Sequence, residues 1–493
     1  MADELPDPAR FGAAFEDFIR AMTAAAERPE SELSERLREH LQVEPRELPV
    51  TVVELPITEH PNLQLALDAV LADAELIGYT SQQMGWMPVG LVEILAGRGM
   101  AGPITAGPVR YNDVEVGDGR VVRCVSGGIY LASVGGHPLV LAVVRGGDRG
   151  PFGANTLKLE GISTGDGVVS EFVADLRAAM LEHNVYRGRV ISLHGGNRPD
   201  QSVTVRFHSI APVDRDAVIL PAGTMERLER HALGIAEHAD ALVAAGRHLK
   251  RGVLLHGPPG TGKTLSVTYL IGATPGRTTI LLTGSGLGLI QEAVTIARQL
   301  APATVVFEDI DLVAAERTFN FGHGGALFDL LNQMEGVDED ADLLFLLTTN
   351  RPDVVEPALA ARPGRIDLAL EIPLPDLEAR KQLLTLYGGD IELDEPAISD
   401  LANRTDTTSG ALIKELMRQA ALRGSVAGKD HPDAADVSAA LDELLEERAA
   451  LTRRLLGQPG DDGPPGPAPF PPMVHAMRSA GLLPFDSIEF DGE

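Results

Sequence analysis

Val253-Leu254-Leu255-His256-Gly257-Pro258-Pro259-Gly260-Thr261-Gly262-Lys263-Thr264-Leu265 is the stretch that decides how this chain folds. Its first three residues are an apolar run short enough for a buried parallel strand, and Leu265 opens a helix-like stretch. The G-x-x-x-x-G-K-[ST] spacing between them, in a strand–loop–helix context, reads as a phosphate-binding loop. The glycines let backbone N–H groups turn inward around a triphosphate, and the helix N-terminus adds a field that favours the same anion. Lys263 is placed to reach the β- and γ-phosphates, and the Thr264 hydroxyl to hold Mg²⁺. A flexible Gly-Pro turn is the alternative. The preceding strand and the Lys-Thr pair weigh against it.

Outward from this loop, Pro221 to Pro373 alternates strand-like and helix-like stretches, as a parallel sheet flanked by helices should. Further strands are expected at Thr279–Leu282, Thr304–Phe307, Leu343–Thr348 and Leu368–Ile372. The buried run Val305-Val306-Phe307 ends in Glu308-Asp309-Ile310-Asp311. A strand ending this way sets carboxylates beside the phosphate loop, where one holds the Mg²⁺ shell and another orients an attacking water. A capped strand end leading into a helix is the plainer reading. A third strand ends in Thr348-Thr349-Asn350, where an asparagine can contact both the γ-phosphate and the water. Ala361-Arg362-Pro363-Gly364-Arg365-Ile366-Asp367 then places two arginines three apart on a Pro-Gly turn. They are either surface charges or fingers inserted into a neighbouring subunit's site.

The 493 residues are too many for one compact domain, and two to four are expected. Residues 1–107 read as a mostly helical region, with a short β-like run at Val50–Leu55 and an aromatic stripe of Phe11, Phe15, Phe18 and Ile19. Trp86, the single tryptophan, reads as a core or interface anchor. Residues 108–212 turn to β-branched runs punctuated by glycine, with one helix at Val168–His183, and read as an α+β module. Residues 213–375 are the parallel-sheet core, and 376–457 are helical throughout, like a small bundle. Beyond 457 a Pro/Gly-rich linker leads to an apolar tail, Met473–Phe490, which either docks or stays disordered.

A net charge of −29 disfavours a polyanionic partner, and no Lys/Arg block offsets it, so nucleic acid is not the expected partner. The single cysteine, Cys124, rules out an internal disulfide framework and reads as a strand residue rather than a nucleophile. No run of about 18 apolar residues is present, and Asp3, Glu4 and Asp7 do not read as a secretory leader. A soluble cytoplasmic protein without a membrane span is expected.

The phosphate loop, the acidic strand end, the asparagine and the arginine pair, in that order, resemble the AAA+ ATPases, specifically the AAA clade. The resemblance covers Pro221 to Gly457. It implies an α/β P-loop core with a C-terminal helical lid, ATP and Mg²⁺ as cofactors, ATP hydrolysis, and a homo-oligomeric ring, usually a hexamer. Position by position, Gly257, Pro258, Pro259, Gly260, Thr261, Gly262, Lys263 and Thr264, with Leu265 following, look like Walker A. Phe307 to Asp311 look like Walker B, Asn350 like sensor 1, and Arg362 and Arg365 like paired arginine fingers. Ser409-Gly410-Ala411 matches the small-residue lid motif that this clade carries where other groups place a sensor-2 arginine.

Two departures bear on mechanism. The clade's usual Walker B ends Asp-Glu, whereas this chain has Glu308-Asp309. By position Glu308 takes the metal-linked role with Thr264, and Asp309 the water-activating one. The longer reach of glutamate leaves the reverse assignment open. Glu-Asp at this position also occurs in ATPases resembling the mitochondrial chaperone that inserts the Rieske iron–sulfur protein. Secondly, only Thr283-Gly284-Ser285-Gly286-Leu287-Gly288 lies where threading unfoldases carry a longer, aromatic pore loop. A ring ATPase that remodels or chaperones a protein client without threading it is therefore expected, with substrate contacts before Pro212. A nucleic-acid motor and a nucleotide-gated scaffold of low turnover are the alternatives. No His-Glu-x-x-His occurs, so a fused peptidase is disfavoured, and the Glu489-Phe490-Asp491-Gly492-Glu493 ending lacks the hydrophobic–Tyr–x signature of proteasome-feeding motors.

Overall fold

The structure, a computed structural model, describes residues 16–17, 32–81, 89–96, 98–99, 102–146, 156–195, 203–283, 286, 289–311, 341–353, 355 and 366–455. The aromatic stripe at 11–19, Trp86 and the tail beyond 457 lie outside them. The chain divides between Pro373 and Leu374 into two compact units.

The first unit begins with a β-rich module. In chain order it comprises α1 (Glu32–Leu41), β1 (Thr51–Pro56), α2 (His60–Val70), β2 (Glu75–Ser81), α3 (Leu91–Leu95), β3 (Arg98–Gly99), β4 (Gly102–Gly107), β5 (Arg110–Glu115), β6 (Val121–Val134), β7 (His137–Arg145), β8 (Thr156–Ser163) and α4 (Val168–Glu182). The strands form one antiparallel sheet in the order β1-β8-β7-β6-β2-β4-β3, with β5 also on β6. The run Leu139 to Val144 is apolar at every position because helices cover both faces of β7. Leu139, Leu141 and Val143 pack with residues of α2 and α4, while Val140, Ala142 and Val144 pack with those of α1 and α3. Gly78 is where β2 meets the chain leaving β4. A Cβ there would lie 2.2 Å from the Pro108 carbonyl carbon, so only glycine admits the approach. Cys124 is fully buried in β6, and burial pushes its thiol up to about 12, which removes it as a nucleophile at neutral pH.

A second sheet holds the phosphate loop. It comprises β9 (Val190–His194), β10 (Thr204–His208), β11 (Arg251–His256), β12 (Thr278–Leu282), β13 (Ala303–Phe307), β14 (Leu343–Thr349) and β15 (Leu368–Glu371), in the order β10-β9-β12-β13-β14-β11-β15. All neighbours are parallel except β10 on β9. Short helices α5 (Thr224–Ala232), α6 (Gly234–Glu237) and α7 (Ala239–Ala244) precede β11, and α8 (Lys263–Gly272) and α9 (Ile290–Gln299) flank the sheet. Val305 and Phe307 of β13 and Phe345 and Leu347 of β14 pack with Ala293 and Val294 of α9. Val306, Leu344 and Leu346 point the other way, to Val267, Leu270 and Ile271 of α8. Burial on both faces explains why these strands read as continuous apolar runs rather than alternating ones.

Sheet membership cuts across the boundaries expected at 107/108 and 212/213. β1 to β4 lie before residue 108 yet belong to the β-rich sheet, so the described residues before 108 mix strands with helices. β9 and β10 lie before 212 yet extend the sheet of the phosphate loop, Ile191 pairing with Ile280 and Ser192 with Leu281. Composition marks a strand, but backbone hydrogen bonding selects its partner, and that choice leaves no local trace. The junction is tightly made. The fully buried Asn62 accepts from the Val185 amide (2.9 Å), the Tyr186 hydroxyl donates to the Thr58 carbonyl, and Arg189 pairs with Asp118 at 2.5 Å.

The described residues of the second unit form four helices, α10 (Leu377–Gly388), α11 (Glu395–Arg404), α12 (Gly410–Val426) and α13 (Ala434–Leu455). Three start on side-chain caps: Asp376 accepts from the Ala379 amide, Asp394 from the Ala397 amide and Ser409 from the Leu412 amide. Ser409, singled out in the sequence, is thus the N-cap of α12. No helix among the described residues is long and apolar enough to cross a membrane.

Candidate functional site

β11 delivers Gly257 to its C-terminal end, and the loop through Gly262 returns the chain into α8. Gly257, Gly260 and Gly262 have φ of 143°, 76° and 106°, which side-chain-bearing residues rarely adopt. At Gly257 a Cβ would also lie 2.2 Å from the Ile372 carbonyl oxygen, so the turn is specified by packing as well as by backbone freedom. The loop is held inwardly: Thr261 Oγ1 donates to the Pro258 carbonyl (2.9 Å), and Lys263 Nζ donates to the carbonyls of Gly257 (2.8 Å) and Pro258 (2.7 Å). The Lys263 side chain is buried, which lowers its pKa, while the carboxylates of Asp309 and Asp311 oppose the shift. A caged ammonium and the first amides of α8, which have no intrahelical acceptors, converge on the loop.

The acids arrive after β13, which β14 separates from β11. β13 ends at Phe307, and the Glu308 amide donates to the Leu282 carbonyl (3.1 Å), fixing the turn. The Thr264 side chain lies close enough to Glu308 to act on its carboxyl group. The Glu308 pKa is raised, chiefly by burial and further by the Asp309 charge, against the effect of Thr264. Two hard oxygen donors, a hydroxyl at a helix N-terminus and a half-buried carboxylate whose charged form burial disfavours, fit Mg²⁺, which would supply the missing positive charge. Asp309 turns the other way. It sits at φ 52°, in the left-handed region that aspartate tolerates better than most residues. Its amide donates to Thr348 Oγ1 (3.1 Å), and its Oδ1 accepts from Asn350 Nδ2 at 2.9 Å.

Asn350 stands just past β14, and its position is itself secured. Asp311 Oδ1 accepts from Thr349 Oγ1 (2.8 Å) and from the Asn350 amide (3.2 Å), and Thr349 Oγ1 accepts from the Arg351 amide (3.0 Å). Thr348, Thr349 and Asp311 were part of the sequence motifs but had no role there. The signal available was two hydroxyl residues at the buried end of a wholly apolar strand, 1 % and 0 % exposed. Gly257 to Leu265, Glu308, Asp309 and Asn350 therefore come together at the C-terminal ends of β11, β13 and β14, where open α/β sheets place ligands. Arg362, Arg365 and Leu287 lie outside the described residues.

A second charged cluster pins the opposite end of the same strands. Asp342 accepts from Arg277 Nη1 (2.7 Å) and Nη2 (2.8 Å) and from Arg251 Nη1 (2.7 Å). Arg251 is 1 % exposed and also donates to the carbonyls of Leu249 and Ala232. The cluster anchors the starts of β11, β12 and β14, and with them the level at which the loop and acids emerge.

Comparison with known proteins agrees with this geometry. The family described as "ATPase family associated with various cellular activities (AAA)" matches residues 253–374. A proteasome-activating nucleotidase of Methanocella arvoryzae is 33% identical over 213 residues, 40% of this chain and 51% of that protein. Proteasome-activating nucleotidase 2 of Halobacterium salinarum is 34% identical over 269 residues, 50% of this chain and 62% of that one. ATP-dependent zinc metalloprotease FtsH 2 of Methylacidiphilum infernorum is 34% identical over 222 residues, 42% of this chain and 34% of that enzyme. The chain thus spans about half the length of the nucleotidases and about a third of the metalloprotease. With its strand order, phosphate loop and acidic strand end in place, the segment 253–374 is a domain of the AAA ATPase family.

Proposed function

We propose that the protein hydrolyses ATP with Mg²⁺ and uses the cycle to remodel or chaperone a protein client in the cytoplasm, as a homo-oligomeric ring, most simply a hexamer. The observation that carries the hydrolytic half is the Asn350 Nδ2 to Asp309 Oδ1 hydrogen bond at the strand ends beside the phosphate loop, with Glu308 placed near Thr264. Lys263 and the α8 amides hold the β- and γ-phosphates. Mg²⁺, when bound, neutralises charge on the phosphates. Thr264 and Glu308 hold it, Asp309 accepts a proton from the attacking water, and Asn350 orients that water. Arg362 and Arg365 complete the site in trans by stabilising charge that develops in the transition state.

Protein as the substrate is supported by the relatives, whose names describe proteasome activation and proteolysis. The short segment 283–288, without an aromatic residue, supports remodelling without threading. Substrate contacts are assigned to the β-rich module. Its docking on the sheet extension through Asn62, Tyr186 and Arg189 supports movement with the ATPase sheet rather than on a loose tether.

The test uses Asp309→Asn, which is expected to retain ATP, to trap the assembled ring. The trapped ring is sized by light scattering, and its bound material is identified with ATP and with ADP. A folded protein retained only with ATP, on a particle about six chains in mass, is the expected result. A nucleic acid retained instead, or a monomer that turns over ATP at full rate, overturns the reading.

A further inference from the structure

Asp311 lies two residues beyond the acid that faces Asn350, and nothing in the hydrolytic scheme above uses it. Its Oδ1 accepts from two donors of the opposite strand end, Thr349 Oγ1 at 2.8 Å and the Asn350 amide at 3.2 Å. The Thr349 hydroxyl, its proton given to Asp311, accepts from the Arg351 amide at 3.0 Å. Asp311 therefore ties down the amide of Asn350 itself and, through one hydroxyl, the amide that follows. A second tie runs the other way. The Asp309 amide donates to Thr348 Oγ1 at 3.1 Å, and the Asn350 side chain donates to Asp309 Oδ1 at 2.9 Å. The turn after β13 and the end of β14 are thus clasped reciprocally, with Asp309 and Asn350 held between the clasps.

We infer that Asp311 is a positioning residue for the hydrolytic step: it sets the backbone that carries Asn350 and so fixes where the Asn350 amide group meets Asp309 and the attacking water. The inference rests on the proposed roles of Asp309 and Asn350. β14 is parallel to β13 through Leu343 to Leu347, but Thr348, Thr349 and Asn350 have no β13 partner in that register. Past Leu347 the ladder to β13 has ended; β11 still pairs with Thr348 and Thr349 on the other edge, but on the β13 side only side chains tie the strand end to the turn that carries Asp309. A carboxylate accepting from a main-chain amide and a hydroxyl is a strong clamp for such a strand end. Releasing it lets Asn350 drift by a fraction of an ångström to about 1 Å, and misplacement of that size in an oriented water site costs up to about a hundredfold in rate. Lys263, the main phosphate contact, has no hydrogen bond to Asp311 and is reached by it only through charge, so releasing the clamp should change nucleotide affinity little.

The experiment measures kcat, KM and equilibrium ATP affinity on the full chain for wild type, Asp311→Ala, Asp311→Asn, Thr349→Val, Asn350→Ala and the Asp311→Ala/Asn350→Ala double variant. Asp311→Ala is expected to lower kcat about 10- to 100-fold while ATP affinity stays within about twofold. Asp311→Asn keeps an acceptor oxygen and should restore most of the turnover. The double variant should be no slower than Asn350→Ala alone, because both changes remove one function. Unchanged kcat in Asp311→Ala, or losses that multiply in the double variant, overturns the inference. Asn350→Ala turning over like wild type instead refutes the reading of the site, which separates the two failures. Where Asp311→Ala does not fold, Thr349→Val carries the test: slower turnover at unchanged ATP affinity is expected, and a wild-type rate overturns the inference.

Discussion

Asp309→Asn separates the two acids that the sequence leaves interchangeable. Asp309 stands at φ 52°, and asparagine accepts the left-handed region as readily as aspartate, so the backbone needs no adjustment. Asparagine Oδ1 also keeps the acceptor that Asn350 Nδ2 uses at 2.9 Å. The substitution therefore removes one charge and the ability to take a proton, and little else. General-base assistance contributes typically 10²–10⁴-fold, so kcat should fall by that factor, about 2.7–5.4 kcal/mol on the barrier. Affinity for ATP should hold or tighten, because an anion beside the triphosphate has gone. Glu308→Gln should behave differently: it weakens the contact with Mg²⁺ next to Thr264, so the gain in ATP affinity on adding Mg²⁺ shrinks first. Calorimetric titration with and without Mg²⁺, paired with phosphate-release rates, reads both variants. Mg²⁺-dependent binding lost in Asp309→Asn but kept in a catalytically dead Glu308→Gln would refute the assignment. Asp309→Glu, which recreates an acid of longer reach, should also destabilise the fold by about 1 kcal/mol at this φ.

Further outcomes follow from the rest of the molecule. Asp342→Ala strips the shared counter-ion from two buried guanidinium groups and should destabilise the first unit by about 3–5 kcal/mol in urea unfolding; a loss under about 1 kcal/mol would show the cluster to be dispensable. Burial raises the Asp342 pKa, but the bonds from Arg277 and Arg251 outweigh it and hold it below the ordinary 3.8, so its contribution is present above that pH and disappears as pH falls through the lowered value. Arg365→Ala chains, slow alone by about 10³-fold, and Lys263→Ala chains, which lose tight ATP binding, should regain part of the turnover when mixed, since some mixed-ring interfaces then hold a good loop and a good finger; no recovery in rings proven mixed counts against a shared site. ATP-driven unfolding of a stable tagged reporter should be absent, and Leu287→Ala should leave ATP turnover nearly unchanged; robust unfolding lost in Leu287→Ala means that the short loop threads.

Much of the ATPase sheet was legible because its strands are local events. Each of β11 to β15 is an apolar run bounded by turn residues, and the structure places them within about two residues of expectation. The phosphate loop was legible for the same reason, its chemistry being packed into eight consecutive positions. What sequence reading missed is non-local. β8 (Thr156–Ser163) carries Lys158 and Glu160 among its apolar residues and was not recognised, yet it is a central strand. β9 looked like one more strand of the glycine-punctuated module, and only its ladder to β12 assigns it to the ATPase sheet. Within the site, the order of motifs pointed to Asn350 and the acids as candidates, but the side-chain contacts among them were not legible. Asp309 stands at φ 52° with its carboxylate accepting from Asn350, and no residue pattern announces that.

Steady-state release of phosphate from Mg²⁺-ATP by the full chain, with Lys263→Ala run beside it, tests the central claim most directly. Lys263 is the only cation hydrogen-bonded within the phosphate loop among the described residues, and little else there can replace it on the triphosphate. The account predicts sustained turnover by the wild-type chain, and in Lys263→Ala the loss of both turnover and tight ATP binding. Turnover that survives in Lys263→Ala, or unchanged ATP affinity in that variant, would contradict the assignment of this loop as the nucleotide site.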